Sequence, residues 1–387
     1  APIRDAATET GGGRDLGDLP VWDLSHLYPA PDAPELARDL DWLDGECADF
    51  AKTYKGRLAD LSAEEMLQAT HRNERIDQVA GRIMSYAGLR YYQRTTDPER
   101  AKFMSDCQDR ITRASSALVF VGLEFNRIPD ETYEAMLKAN ADLARYRPAF
   151  DRQRAMKPHQ LSDELEAYLH DTSVVGASAW NKLFDETIAG MTLEVDGARQ
   201  GIEATLTLLT EQDRAKREAA ARALAAGFAE QLPLFARVHN TLAKEKEIGD
   251  RWRKLPTPQA GRHLTNHVEP EVVHALRDAD VEAYTRLRHR SYTLKAKWLG
   301  LETMEVWDRN APLPMESTRI VGWDEARGIV TDAYAAFDPR MAELAEPFFT
   351  QGWIDAPVAE GKAPGAFAHP TVTDAHPYVM LNYLGTP

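Results

Sequence analysis

Cysteine is nearly missing from this sequence: Cys47 and Cys107 are the only thiols in 387 residues, and they sit in no CxxC or zinc-ribbon spacing. That scarcity excludes a disulfide framework and fits a reducing compartment. No run of about 18 or more apolar residues occurs, which excludes a transmembrane helix. Positive charge is in deficit too. Lys and Arg number 46 against 61 Asp and Glu, a formal net charge of −15. Such a surface repels phosphate backbones and anionic lipid, and so argues against nucleic acid and membranes as partners. Absent as well are a GxxxxGK loop, a GxGxxG fingerprint and a GxSxG elbow, and none of the 11 histidines begins an HExxH. Residues 1 to 18 lack the apolar middle and the small-residue cleavage site of a signal peptide. With Gly11, Gly12 and Gly13 among scattered charges, they are expected to be the flexible leader of a cytoplasmic protein.

Helical periodicity is what the sequence has in abundance. Leu36, Leu40, Leu43, Cys47 and Phe50 recur at steps of three and four, one face of a helix over 36–54. Ser62 and Glu65 make a capping box, with Leu61 placed to staple against Met66. Asp97-Pro98-Glu99 is a second start: a cap, proline at the first helical position and an acid in the first turn. That helix is expected to run to about Phe125 and to break at Ile128-Pro129-Asp130. Asp163, Glu164 and Glu166 open another helix and suit the positive end of its dipole. Patterns over 211–232, 234–248, 270–299 and 323–337 follow, the last stopping at Asp338-Pro339.

Two stretches change the texture. Met191 to Arg199 alternates around Asp196-Gly197, which predicts a small β-hairpin. The domain boundary is placed just after it, giving an N-terminal helical domain over 19–200 and a second domain over 201–387. His376 to Tyr383 fits one extended strand, with Tyr378, Met380 and Asn382 on one face and Val379, Leu381 and Tyr383 on the other. The polar tips of His376, Tyr378, Asn382 and Tyr383 fit either a cleft edge or a half-exposed edge strand.

Metal chemistry finds little support in the residues themselves. His263 and His267 are four apart, a spacing that chelates metal on a helix. Gly261, Asn266 and Pro270 crowd them, so the expectation is a loop with two solvated or hydrogen-bonded histidines. Lys244-Glu245-Lys246-Glu247 and Arg251-Trp252-Arg253 are expected to form a solvated helix end. Tyr86 and Tyr91 are expected to pack in the core.

At several blocks the pattern becomes a family's. Trp22-Asp23-Leu24-Ser25-His26-Leu27-Tyr28-Pro29 resembles the opening segment of oligoendopeptidase F and its relatives among the thimet-type (M3) zinc peptidases. Lys157-Pro158-His159-Gln160-Leu161-Ser162-Asp163-Glu164-Leu165-Glu166 is similar to another stretch of that family, with Leu165 in place of an acid. Tyr292 to Ala296 and Trp307 to Leu313 resemble its middle motifs. The most specific likeness is Trp353 to Ala356, then Gly361 to Phe367, then His376-Pro377-Tyr378-Val379-Met380-Leu381-Asn382-Tyr383. The blocks agree in order and spacing from Trp22 to the last residue.

The resemblance implies a mainly α fold: a multi-helix N-terminal domain, then the first part of a helical zincin-type catalytic domain with a small β element. It implies zinc-dependent endopeptidase action on oligopeptides inside a channel between the domains. In that family a strand and turn like those ending at Gly385 lead into an HExxH helix. Its two histidines and a later glutamate hold zinc, and the glutamate between the histidines is the general base. None of those ligands is in this sequence. The resemblance thus implies the part of the enzyme that lacks the zinc motif, inactive alone and partnered by a missing catalytic segment. Gly365, Ala366 and Phe367 resemble the family's edge strand, where backbone groups pair with an extended peptide. His376, Tyr378 and Tyr383 either line the cleft beside it or simply pack the strand into the catalytic half. The rival is a non-catalytic helical peptide-binding or scaffold protein with a solvated C-terminus. An enzyme fragment would instead expose a large apolar face.

Overall fold

The first apolar stripe becomes helix α1 (Pro34–Tyr54), which buries Leu36, Leu40, Leu43, Cys47, Phe50 and Tyr54. The structure, a computed structural model, describes residues 16–173, 175–314, 319–359, 361–363 and 365–385. The expected leader lies outside them except for its last three positions, 16–18. The chain divides into two units, residues 1–145 with 317–387, and residues 146–316.

In the first unit, α2 (Ala63–Gln93) opens on the predicted capping box, with Ser62 N–H donating to Glu65 Oε2 at 2.8 Å. Helix α3 (Pro98–Ser115) starts where Asp97 accepts from the N–H groups of Glu99 and Arg100. A 3-10 turn at Ser116–Leu118 separates it from α4 (Val119–Arg127). Pro129 then ends α4 and precedes α5 (Asp130–Ala139) and the single turn α6 (Ala141–Ala144). Helices α1, α2 and α3 pack on one another. Ile83 and Leu89 of α2 are wholly buried there, each contributing about 1.5–3 kcal/mol of transfer free energy. Tyr86 packs edge-on against Tyr28 and Phe103, as expected of a core residue. Cys47 and Cys107 are buried free thiols, and burial pushes both pKa values up to about 11. Neither is a reactive thiolate.

The second unit begins with α7 (Arg147–Arg154), α8 (Asp163–Thr172) and α9 (Ala177–Gly190). The predicted hairpin follows as β1 (Thr192–Val195) and β2 (Ala198–Gly201). Asp196 and Gly197 both take positive φ, the geometry of a two-residue type I′ turn. Met191 and Leu193 pack with Ile202 and Leu224 of α10 (Ile202–Leu208) and α11 (Arg214–Glu230). The boundary expected near residue 200 therefore falls within this unit, because the hairpin shares a core with the helices after it.

Helix α12 (Leu232–Trp252) ends at Arg253, which is no solvated cation. It grips Glu166 through two bonds of 2.7 and 2.8 Å, so Glu166 faces a guanidinium as well as its helix N-terminus. His263 lies in α13 (Ala260–Asn266), not in a loop as expected, because Gly261 falls in the first turn, where a glycine disturbs little. His267 ends that helix in the left-handed conformation, so the two imidazoles do not share a helix face. Helices α14 (Pro270–Ala283) and α15 (His289–Trp298) are joined by a π-helical turn. Asp308, fully buried, accepts from both Arg214 and Arg217.

The first unit resumes with α16 (Trp323–Phe337) and α17 (Pro339–Thr350). Asp338-Pro339 stops one helix but also starts the next, since the Asp338 carboxylate accepts from Arg340 N–H. The sheet follows: β3 (Ile354–Asp355), β4 (Phe367–His369) and β5 (Tyr378–Met380), in the order β3-β5-β4. The pair β3–β5 is parallel and β4–β5 antiparallel. The strand expected over 376–383 is shorter as a ladder because its partners are short. Its alternation holds, with Tyr378 and Met380 buried and Val379 half-buried. Exposed apolar side chains gather on α14 (Val272, Leu276, Val281) and on α16 and α17 (Ile329, Phe337, Leu344). Among the described residues no helix is long and apolar enough to cross a membrane. The fold is mainly α with a small β element.

Candidate functional site

The small sheet has two edges, and they differ. Along β3 the segment around Trp22 lies close: Ala356 N–H donates to Pro20 O, and Asp23 N–H to Gly352 O, both at 2.9 Å. Trp22 Nε1 donates to Trp353 O at 3.1 Å and to Val379 O at 3.0 Å, clamping the start of the β3–β5 pair. That edge is closed.

The β4 edge is open. Val379 and Leu381 donate toward β3, so Tyr378 and Met380 turn their backbone groups toward His369 and Phe367 of β4. By the strand's period of two, Ala368 then points its N–H and C=O away from the sheet. No hydrogen bond among the described residues takes them up. Ala366 and Ala368 are exposed, and their methyl groups leave the backbone approachable. Gly365, with φ +77°, turns the chain into this edge, and no heavy atom lies within 4 Å of where its Cβ would be.

Beneath the edge, Phe367 packs against Trp22 and Tyr92, with ring centroids 6.4 and 5.3 Å away. His369 Nε2 meets Ser85 Oγ of α2 at 2.9 Å, and burial lowers its pKa. Lys362 stands behind the turn. Its ammonium touches Asp355 Oδ1 at 2.6 Å and also reaches the carbonyls of Asp355, Pro357 and Leu381. The two side chains of the pair are only 2% and 6% exposed. Burial lowers the Lys362 pKa, against the opposing pull of Asp355. Gln93 Nε2 donates to the other oxygen, Asp355 Oδ2, at 2.8 Å.

The other expected site residues lie apart from this open edge. Tyr378 is wholly buried and its hydroxyl donates to Asp23 O at 2.9 Å. The His376 ring stacks on Trp353 at 3.9 Å, and its Nε2 lies 2.9 Å from His26 Nδ1. Burial lowers its pKa, and the neighbouring His26 acts in the same direction. Trp353 Nε1 is buried without a hydrogen-bond partner among the described residues. Tyr383 faces the opposite side of the sheet, edge-on to Trp323, with its hydroxyl donating to Val321 O. Gly365, Ala366 and Phe367 thus share the open edge, while His376, Tyr378 and Tyr383 are packed against other parts of the unit.

Sequence reading did not single out Asp355, Lys362, Gln93 or Ser85. Ser85 and Gln93 both lie on α2, and their meeting with β4 and β3 depends on partners distant in sequence. The lysine offered no signal of burial. Among the described residues no three His, Cys, Asp or Glu side chains converge where a metal could sit.

The family described as Oligopeptidase F matches residues 124–192. The Group B oligopeptidase PepB of Streptococcus agalactiae is 25% identical over 371 residues, 94% of this chain and 61% of that protein. Oligopeptidase PepF of Bacillus subtilis is 23% identical over 369 residues, 94% of this chain and 54% of that protein. This chain therefore spans less than two thirds of these relatives. Among solved structures, oligoendopeptidase-F from Enterococcus faecium superposes with a TM-score of 0.63 at 20% identity, covering 82% of this chain and 66% of that one. The fold, the ordered sequence blocks and these matches along nearly the whole chain agree in one likeness, to the oligoendopeptidase F family.

Proposed function

We propose that this chain supplies the peptide-gripping part of an oligopeptidase, with β4 as the edge to which an extended oligopeptide adds as a further strand. One observation carries the reading: the sheet has one edge closed by the Trp22 segment and one open, with Ala366 and Ala368 exposed on the open side. Main-chain pairing gives affinity with little dependence on side-chain identity, which suits a peptidase of varied short peptides. The relatives named oligopeptidases support the same substrate class.

Zinc is the metal the family implies, but the described residues offer no set of three donors that fits it. The proposal includes a further catalytic segment that carries those ligands and completes the peptidase, in a cytoplasmic setting. The relatives' greater length supports that part.

Strand addition is tested by calorimetric titration of the 387-residue chain with short oligopeptides, each N-methylated at one backbone position. Methylation should weaken binding at every second residue, by about tenfold for a lost hydrogen bond and its steric clash. Affinity indifferent to methylation at all positions rules out strand addition. No binding of any peptide favours the scaffold alternative.

A further inference from the structure

The turn that leads into β4 is held by a side chain that no expectation assigned a task. Asn382 Nδ2 donates to Ala363 O at 3.0 Å and to Gly365 O at 2.9 Å. Both partners are carbonyls, so the amide must present its nitrogen to them, and both of its N–H bonds are used. The remaining anchors act on the other end of the same turn. Ala363 N–H donates to Tyr92 O at 2.9 Å, and Thr95 Oγ1 to Gly361 O at 2.9 Å. Lys362 is held in the core through Asp355. Among the described residues only Asn382 hydrogen-bonds Gly365, the residue at which the chain enters the open edge.

We propose that Asn382 is a positioning residue for peptide binding: its two hydrogen bonds fix Gly365 and so aim the outward backbone groups of Ala366 and Ala368. The inference rests on the strand-addition reading. It assigns the direction of the edge to one amide rather than to the ladder alone. That ladder is short, with His369 and Phe367 pairing with Tyr378 and Met380, and a short ladder frays at the end where Gly365 enters.

Asn382→Asp keeps the shape but replaces the donor nitrogen with an anionic oxygen facing two carbonyls. Asn382→Ala removes the donors without the repulsion. In each variant of the 387-residue chain, two quantities are measured. One is amide hydrogen exchange at Phe367 and His369 without peptide. The other is calorimetric affinity for an oligopeptide and for its N-methylated analogue. Expected are exchange about tenfold faster at those two amides and affinity about tenfold weaker, the scale of one or two lost hydrogen bonds. Sensitivity to N-methylation should shrink as well, because the edge no longer presents its groups in register. Unchanged exchange in both variants overturns the proposal, whatever the peptide does. Weakened affinity with unchanged exchange would mean that Asn382 touches the ligand directly, and overturns it as well. Faster exchange with full affinity overturns it too. If the unaltered chain binds no peptide, strand addition fails. The exchange rates then still decide whether Asn382 holds the edge.

Discussion

Lys362→Met should destabilise the first unit severely, although the intact ion pair is not itself a large source of stability. In the folded chain the Lys362 ammonium has four acceptors: Asp355 Oδ1 and the carbonyls of Asp355, Pro357 and Leu381. Burial lowers its pKa even with the Asp355 carboxylate beside it, so desolvation outweighs the attraction of the pair. Methionine fills similar volume but leaves a buried carboxylate without its cation and removes the ammonium from the Pro357 and Leu381 carbonyls, while the Asp355 carbonyl keeps Leu381 N–H. Asp355 would keep Gln93 and a long contact from Trp22 N–H, at 2.8 and 3.4 Å. Removing one partner of a buried pair costs about 3–5 kcal/mol. For a unit of roughly 200 residues that lowers its melting temperature by roughly 6–20 °C. Urea unfolding of K362M, D355N and the double variant, followed by near-UV circular dichroism, measures it. The double variant should recover part of the loss, because no unpaired charge stays buried. A loss below about 1 kcal/mol in K362M, or a double variant that only adds the two single losses, would refute the reasoning.

Tyr378→Phe removes a buried hydroxyl that donates to Asp23 O; it should cost about 1–3 kcal/mol of stability and leave calorimetric peptide affinity unchanged. His369 and His376 are both held below the usual histidine range by burial, so the folded state resists their protonation more than the unfolded chain does. Their contribution is complete above about pH 6.5 and falls as pH drops toward their folded values, and urea titrations of the His369→Gln/His376→Gln variant should show a flatter slope there. Burial raises the Asp308 carboxyl, but the hydrogen bonds from Arg214, Glu305 N–H and Arg217 outweigh it and bring its pKa to about 2. That stability of the second unit is present above about pH 3.9 and lost as pH falls toward 2, so acid unfolding followed by tryptophan fluorescence should lose this component in Asp308→Asn.

Much of the helical frame was legible because local signals decide it. Ser62 with Glu65, Asp97 with Pro98, and Asp196 with Gly197 act within a few residues, and each appears as predicted. Helix α17 is less legible because Asp338-Pro339 both stops α16 and repeats the Asp97-Pro98 start. The order of the small sheet was not legible. Its strands are two or three residues long, and β3 pairs in parallel with a strand beyond β4. Of the candidate site, Gly365 to Phe367 fall on the open edge, and glycine beside small residues is a local cue. The packing of His376 on Trp353 and of Tyr378 beneath Asp23 depends on partners hundreds of residues away. Composition and period carry no trace of such pairings.

The clamp by Trp22 sets an order of events during synthesis. Its indole reaches a carbonyl 357 positions later, and Gln93 reaches Asp355 across 262. Closing a flexible loop of that length costs about 5 kcal/mol in chain entropy, unless the 146–316 unit has already collapsed and shortened the effective tether. A chain emerging N-terminus first therefore carries α2 and Trp22 with their sheet-facing surface uncovered until β5 is made. Over that interval the helical half is a template awaiting strands, and it is then that chaperones, or a second nascent chain, compete for the same face.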